Sequence, residues 1–185
     1  MKFQAKEKYG HKLINKKTRI GILGGSFDPP HKGHLAISKE AIKRFKLKKI
    51  IWAITKKNPF KKETKNSLNK RIKDCKKIIR SNSFIKVKFY DTIIKSNKTI
   101  HLINHLKKNK SLEIFFLMGA DNLINFHNWY RSKSISQKCN IIVFDRYGYK
   151  KKSLKSKTFK ELSKNGLTFV EFNKVNISSS QLRKI

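Results

Sequence analysis

The sequence predicts an α/β fold, a Rossmann-like parallel sheet with helices on both faces. Two observations support this class. Strand-like and helix-like segments alternate along the chain, and the strand-like segments are continuous apolar runs, as expected for strands buried on both faces. The length of 185 residues fits a single domain, which we place at 19–185. Residues 1–18 are polar, basic and without periodicity, which is typical of a flexible lead-in.

The first half of the domain is predicted to contain three strands and three helices. Each strand is a short, mainly apolar run, and the helices show apolar positions that recur at spacings of three and four residues. The stretch after the first strand contains too many glycines and prolines for regular structure. The predicted strands are Arg19–Leu23, Lys49–Thr55 and Ile85–Phe89, and the helices span about Gly33–Phe45, Leu68–Ile79 and Thr99–Lys108.

The second half adds three strands, at Glu113–Met118, Asn140–Phe144 and Leu167–Phe172. A lysine-rich loop or helix fills 150–165, and Ser178 can cap a short C-terminal helix. In folds of this class the ligand lies beyond the carboxyl ends of the parallel strands. The unusual loops follow strands one, two and four, so we expect the functional site at that edge of the sheet.

The chain is strongly basic, with 46 Lys and Arg against 11 Asp and Glu and a formal net charge of +35. Such a charge attracts nucleic acid and other polyanions. Arginine, which makes forked contacts to phosphates and bases, accounts for only seven of the basic residues. The lysines are scattered and accompany abundant Ile and Asn, so A/T-rich codon usage explains the excess. A basic nucleic-acid-binding protein is therefore an alternative of a different class, but not the favoured one.

Nothing in the sequence indicates secretion or a membrane span. The first residues, MKFQAKEKYGHK, lack the apolar segment of a secretory signal, and no run approaches the roughly 18 apolar residues that span a bilayer. Cys75 and Cys139 lie far apart in no metal-ligand spacing, which predicts buried free thiols. We therefore expect a cytoplasmic protein, and whether it forms a homo-oligomer stays open.

The most informative segment is GGSFDPPHKGHL, at residues 24–35. Two glycines directly after a strand let the backbone approach a ligand closely, and two prolines stiffen the connection. His31 and His34 are three residues apart at a helix start, so both rings can face one side. Because the helix N-terminus adds free N–H groups and a positive dipole end, the segment predicts a phosphate-sized anion site. A zinc site is disfavoured because a third ligand is missing nearby.

This segment resembles the signature of the nucleotidyltransferase superfamily, whose core is His-x-x-His. A second motif, ISSSQLR at 177–183, is similar to the superfamily's Ile-Ser-Ser/Thr-x-x-Arg element. Within the superfamily the chain is most similar to the nicotinate-nucleotide adenylyltransferases, over roughly residues 19–183. The other segments that carry this similarity are NPFK at 58–61, FLMGADNL at 116–123 and FHNW at 126–129.

The resemblance implies transfer of AMP from ATP to nicotinate mononucleotide, which yields deamido-NAD and pyrophosphate, with Mg²⁺ accompanying ATP. The attacking phosphate is largely ionised at pH 7 because its second pKa is about 6, so the reaction needs no protein nucleophile. It needs positioning and stabilisation of charge on the α-phosphate during an in-line displacement. His31 and His34 can supply hydrogen-bond donors for this, and the resemblance adds Arg183 to the catalytic group.

The remaining site residues fall into two groups. By the resemblance, Ser178 and Ser179 join Arg183 in holding the β- and γ-phosphates with Mg²⁺, and no protein side chain is assigned as a metal ligand. Asp121 would face ribose hydroxyls, and Trp129 would stack on the pyridine ring. The predicted ATP and phosphate contacts are Gly24, Gly25, Ser26, Phe27, Gly119, Asp121, Ser178 and Ser179, and the predicted contacts to nicotinate mononucleotide are Trp129, Asn58 and Lys61.

The alternative enzyme is a pantetheine-phosphate adenylyltransferase of the same superfamily, whose C-terminal motif also reads Ile-Ser-Ser-Ser. The double glycine at 24–25, the chain length and the GADNL block followed by Trp129 favour the nicotinate enzyme. The preference between nicotinate and nicotinamide mononucleotide, and the roles of Arg71 and Arg146, stay open at this point.

Overall fold

The computed structural model describes residues 17–57, 64–163 and 166–171. Its six strands form one sheet in the order β3-β2-β1-β4-β5-β6, and every neighbouring pair is parallel. The α/β class predicted from the sequence is therefore confirmed. The strands are β1 Thr18–Gly25, β2 Lys49–Ile54, β3 Ile85–Phe89, β4 Leu112–Gly119, β5 Asn140–Phe144 and β6 Leu167–Val170.

The three helices predicted in the first half are confirmed to within one residue at each end. The lysine-rich segment, predicted to be a loop or a helix, contains two short helices. Two further helices and the 3₁₀ turn Phe126–Asn128 follow β4 and were not predicted. The helices are α1 Lys32–Phe45, α2 Leu68–Ile78, α3 Thr99–Lys107, α4 Ala120–Ile124, α5 Ser132–Lys138, α6 Lys150–Leu154 and α7 Lys157–Leu162. The predicted cap at Ser178 lies outside the described residues.

Both faces of the sheet are buried, as the apolar runs predicted. In β1, Ile20 and Ile22 pack on one face with residues of α3 and α5, while Leu23 packs on the other face with residues of α1 and α2. The thiols of Cys75 and Cys139 are buried, and this burial raises the pKa of each to about 12. Thiols of this kind are unreactive near neutral pH.

The order of the strands places a crevice at the carboxyl end of β1. From β1 the chain proceeds to β2 and β3 on one side of the sheet, and then crosses to β4 on the other side. A sheet of this topology opens a crevice where its strand order reverses, between β1 and β4. Within the described residues, the segments that directly follow β1, β2 and β4 lie around that point, in agreement with the sequence prediction. None of the helices in the described ranges is long and apolar enough to cross a membrane.

Candidate active site

The loop between β1 and α1 brings His31 and His34 together, with ring centroids 3.8 Å apart. His31 is the N-cap of α1, and its Nδ1 accepts a hydrogen bond from the Gly33 backbone N–H at 3.1 Å. The Nδ1 of His34 accepts in return from the His31 backbone N–H at 3.2 Å. The two imidazoles thus form a reciprocal cap of the kind usually made by Ser or Thr with Glu.

This cap determines which ring nitrogen can donate. Because each Nδ1 accepts a backbone hydrogen bond, the neutral rings of His31 and His34 carry their proton on Nε2, an assignment made from these bonds. The expectation that the helix start offers free N–H groups is wrong for Gly33, whose N–H is bonded to His31. The Nε2–H groups of the two imidazoles are thus donors that this helix start can aim at an anion.

Aromatic rings support His34 from behind. The Phe27 ring lies 4.8 Å from the imidazole and stacks on Trp52 at 5.0 Å, with an interplanar angle of 16°. The indole Nε1–H of Trp52 donates to Ser38 Oγ, which in turn donates to the His34 carbonyl, both at 2.8 Å. The buried Phe27 side chain therefore belongs to the packing beneath His34. A ligand contact at Phe27 would therefore involve its backbone rather than its side chain. Ser26, another predicted contact, is also buried.

A buried arginine joins this loop to the loop after β2. Arg71, on α2, is only 1% exposed. Its Nη1 donates to the carbonyl oxygens of Ser26 at 2.6 Å and Thr55 at 2.9 Å. Its Nη2 donates to the Lys56 carbonyl and its Nε to the Asn66 carbonyl, both at 3.2 Å. Burial lowers the pKa of Arg71, an effect that the charge of Asp28 partly offsets.

Asp28 makes a second connection between the same two segments. Its fully buried carboxylate accepts hydrogen bonds from the Lys65 backbone N–H and the Asn66 side-chain amide, both at 2.7 Å. The Asn66 backbone N–H adds a third bond at 3.3 Å. Asp28 thus binds the N–H groups of residues 65–66, while Arg71 binds a carbonyl of the same pair. The sequence held no pairing signal that could have revealed this, because the partners are mostly backbone groups far along the chain.

A pocket opens beside the glycine pair, with about 760 Å³ of empty space when its open mouth is included. Gly24 and Gly25 line it together with Phe116 and Trp129. The indole of Trp129 is half-buried and packs against Phe126 at 5.2 Å and edge-on to Phe116 at 6.0 Å. Gly24 and Gly25, predicted as ATP contacts, thus line the same pocket as Trp129, predicted as a contact to nicotinate mononucleotide. Because all three share this space, we treat it below as the acceptor pocket. Lining residues that sequence reasoning missed include Thr55, Tyr90, Asp91, Lys98, Thr99 and Tyr130.

At the end of β4, Asp121 forms an ion pair with Arg146, its Oδ2 accepting from Nη1 at 2.6 Å. Its other oxygen, Oδ1, is buried and has no hydrogen-bond partner among the described residues. A Cβ atom at Gly119 would lie 2.5 Å from that oxygen, so only glycine permits this carboxylate position. The described residues thus leave the hydrogen-bonding capacity of Oδ1 unused, and the contact of Asp121 to ribose hydroxyls stays a prediction. The role of Arg146, which the sequence left open, is thus to form an ion pair with Asp121, the residue predicted to contact the ribose.

Five predicted site residues lie outside the described residues: Asn58, Lys61, Ser178, Ser179 and Arg183. Their assignments stay predictions. In the described ranges, no group of three or more His, Cys, Asp or Glu side chains could hold a metal ion.

Comparisons with known proteins agree with this fold and site. A family model described as cytidylyltransferase-like matches residues 22–185. The chain is 66% identical over 173 residues to the "Probable nicotinate-nucleotide adenylyltransferase" of Pelagibacter ubique, a match that covers 94% of this chain and 96% of that protein. It is 37% identical over 172 residues to the protein of the same name from Clostridium botulinum, covering 90% and 84%.

Among solved structures, the nicotinic acid mononucleotide adenylyltransferase of Plasmodium falciparum, complexed with NaAD, has the same fold. The TM-score is 0.72 and the sequence identity 22%, over 90% of this chain and 83% of that chain. The fold comparison and the much higher identity to the bacterial proteins lead to one assignment. The chain belongs to the nicotinate-nucleotide adenylyltransferase family.

Proposed function

We propose that this enzyme transfers AMP from ATP to nicotinate mononucleotide and releases pyrophosphate. The observation that carries the proposal is the arrangement at the carboxyl end of β1. An apolar pocket with an aromatic wall, suited to a pyridine ring, begins at the same strand end as a pair of imidazole donors suited to phosphate. The 66% identity to a protein named for this activity supports the same assignment.

The reaction is an in-line displacement at the α-phosphorus of ATP. A phosphate oxygen of nicotinate mononucleotide forms the new bond to this phosphorus, and the bond to the oxygen that bridges the α- and β-phosphates breaks. That oxygen leaves with its electron pair as part of pyrophosphate. His31 and His34 donate hydrogen bonds from Nε2 to the oxygens on which charge develops. No protein group has to remove a proton from the attacking phosphate, since it is already ionised.

The proposal includes Mg²⁺, bound with the ATP phosphates. Mg²⁺ usually keeps several waters and binds through one or two carboxylates together with substrate phosphates. In this scheme the metal arrives with ATP. The metal would neutralise charge on the polyphosphate, and Ser178, Ser179 and Arg183 would hold its β- and γ-phosphates. We also propose that the enzyme is cytoplasmic, because its two buried cysteines are free thiols, as is usual in a reducing compartment.

The function is tested by supplying ATP and Mg²⁺ with each of three acceptors: nicotinate mononucleotide, nicotinamide mononucleotide and phosphopantetheine. Pyrophosphate release is followed, and the dinucleotide product is identified by its mass. We expect the highest kcat/KM with nicotinate mononucleotide. Faster release with phosphopantetheine than with either pyridine mononucleotide would replace the proposal with the alternative enzyme.

Replacing Trp129 with leucine should raise the KM for nicotinate mononucleotide by about 2- to 12-fold. This range corresponds to the roughly 0.5–1.5 kcal/mol that a ring contact adds beyond burial. The KM for ATP should change little, because the indole lies in the acceptor pocket. Phe45→Leu is the matched control, since Phe45 is half-buried like Trp129, pairs with the Phe115 ring at 5.9 Å and does not line the pocket. It should lower the Tm and leave both KM values unchanged. Equal KM values for wild type and Trp129→Leu would remove the stacking role.

Replacing Arg183 with lysine should raise the KM for ATP by about 3- to 10-fold at both low and physiological salt. The ammonium group keeps the charge but cannot form the forked contact to a phosphate. Replacement of Lys151 and Lys152 by glutamine removes exposed charge from α6 and should affect ATP use only at low salt. ATP titrations at the two ionic strengths compare these variants. If Arg183→Lys matches wild type throughout, the C-terminal motif does not clamp phosphate.

A further inference from the structure

The guanidinium of Arg71 is a buried charged group that the proposed chemistry does not use. Its hydrogen bonds within the described residues end on main-chain carbonyl oxygens, and these belong to three separate segments: the histidine loop, the residues that follow β2, and the start of α2. A buried cation is costly unless its donors are satisfied. A residue buried in this way for packing alone would be better replaced by an apolar side chain.

The choice of arginine at position 71 is informative in this chain. Lysine greatly outnumbers arginine, and it occupies the exposed positions where charge alone is required. A guanidinium offers five N–H donors in a rigid plane, whereas an ammonium offers three donors at one point. The guanidinium bonds the Ser26 carbonyl through Nη1 and the Asn66 carbonyl through Nε, two separate donor atoms that a single ammonium nitrogen does not provide. The site therefore uses the geometry of arginine, beyond its charge.

The carbonyls that Arg71 holds lie directly next to both halves of the active site. The Ser26 carbonyl precedes Phe27, whose φ of +48° is in the left-handed region that is unfavourable for a bulky residue. The Phe27 ring in turn packs against His34 at 4.8 Å. On the other side, Thr55 lines the acceptor pocket. One guanidinium thus fixes the peptide beneath the imidazoles and the wall of the pocket.

We propose that Arg71 is a positioning residue that holds the histidine loop and the acceptor pocket at a fixed separation. The inference rests on the proposed function. An in-line displacement requires the attacking oxygen, the phosphorus and the leaving oxygen to be aligned, and a misplacement of about 1 Å can cost about 10²-fold in rate. Arg71 contacts neither substrate in this scheme. It acts through the Ser26 and Thr55 carbonyls, and Asp28 completes the connection from the other side.

Arg71→Lys is the direct test, with kcat, KM and Tm measured for AMP transfer to nicotinate mononucleotide. At a temperature where the variant is fully folded, we expect kcat to fall by about 10- to 100-fold. Cys75→Ala is the matched control, because Cys75 is buried one turn further along α2 and belongs to the core beneath that helix. It should lower the Tm and leave kcat near that of the wild type. A merely structural Arg71 would behave like this control.

A double-mutant cycle with His34→Ala identifies the route of the effect. If Arg71 acts through the imidazole, Arg71→Lys should cost much less kcat when His34 is already absent than when it is present. If Arg71→Lys does not fold, Asp28→Asn takes its place in the same cycle. The asparagine keeps the size of Asp28 but loses one of the carboxylate acceptors that bind residues 65–66.

Each outcome supports or overturns the inference. A large kcat loss that shrinks in the His34→Ala background supports it. A wild-type kcat in the folded variant, or a loss that multiplies fully with that of His34→Ala, overturns it while the proposed function stands. If His34→Ala itself retains full kcat, the histidine mechanism fails, and the positioning role fails with it. If the wild-type enzyme does not transfer AMP to any pyridine mononucleotide, the proposed function has failed first.

Discussion

His34→Ala should lower kcat for AMP transfer by about 10²–10³-fold and change the KM for ATP far less. This magnitude follows from the loss of one hydrogen-bond donor to charge that develops in the transition state. The Nδ1 of His34 is bonded to the His31 backbone, so its catalytic contribution comes from Nε2–H. That bond strengthens as the α-phosphate oxygens gain charge, which is why the loss appears in kcat. Steady-state kinetics at saturating nicotinate mononucleotide measures both parameters.

The control for this substitution must account for the helix cap. Alanine at position 34 also removes half of the reciprocal cap of α1, which is expected to cost about 1 kcal/mol of stability. Ser156→Ala removes a cap of similar kind from α7, where Ser156 Oγ accepts from the Phe159 backbone N–H at 3.2 Å. It should lower the Tm without lowering kcat. A His34→Ala enzyme that keeps more than half of the wild-type kcat would exclude His34 from the mechanism.

Gly24→Ala should raise the KM for nicotinate mononucleotide by about one to two orders of magnitude at an unchanged Tm. The added methyl group would meet nothing closer than the Phe116 ring at 3.6 Å, an ordinary contact, so the free protein has room for it. Phe116 and Gly24 both line the acceptor pocket, however, and the methyl takes space that the substrate needs. Overpacking of this kind costs about 1–3 kcal/mol, which corresponds to the expected rise. Substrate titrations and thermal melts provide the two readings.

Gly21→Ala is the matched control from the same strand. A Cβ there would lie 2.9 Å from Ile50 Cγ1 and 3.0 Å from Leu47 Cδ1, inside the core and away from the pocket. This variant should lose stability and keep the KM of the wild type. The two alanines thus separate a glycine that serves packing from one that serves ligand approach. If Gly24→Ala lost stability and kept its KM, the pocket would not hold the acceptor at this position.

The fold was predictable because long buried strands carry a strong signal. Apolar runs such as Lys49–Thr55 predicted β2 to within one residue, and alternation with amphipathic helices predicted the parallel sheet. The short helix α5 was missed because its seven residues bury only Ile135, which is too little to produce a periodic pattern. The Lys150–Leu154 segment was equally ambiguous, since lysine-rich sequences fit a loop or a helix.

The candidate site was predictable where a motif is local. His31 and His34 are three residues apart, so their proximity follows from one helical turn, and the convergence of Gly24, Gly25 and Trp129 follows from the sheet edge at which they lie. The connections made by Arg71 and Asp28 were not predictable. Their partners are mostly backbone atoms up to 45 residues away, and any residue type could provide such a carbonyl.

The imidazole cap of α1 has a consequence for how this enzyme can evolve. Replacing an active-site residue often makes a protein more stable, because functional groups are commonly placed at the expense of folding. Here the imidazoles of His31 and His34 each accept a hydrogen bond from a backbone N–H at the helix start, so replacing either residue also weakens the fold. Substitutions at these two positions therefore bring no gain in stability that could offset a loss of activity. Selection for a stable fold and selection for the proposed catalytic role both favour keeping the two histidines.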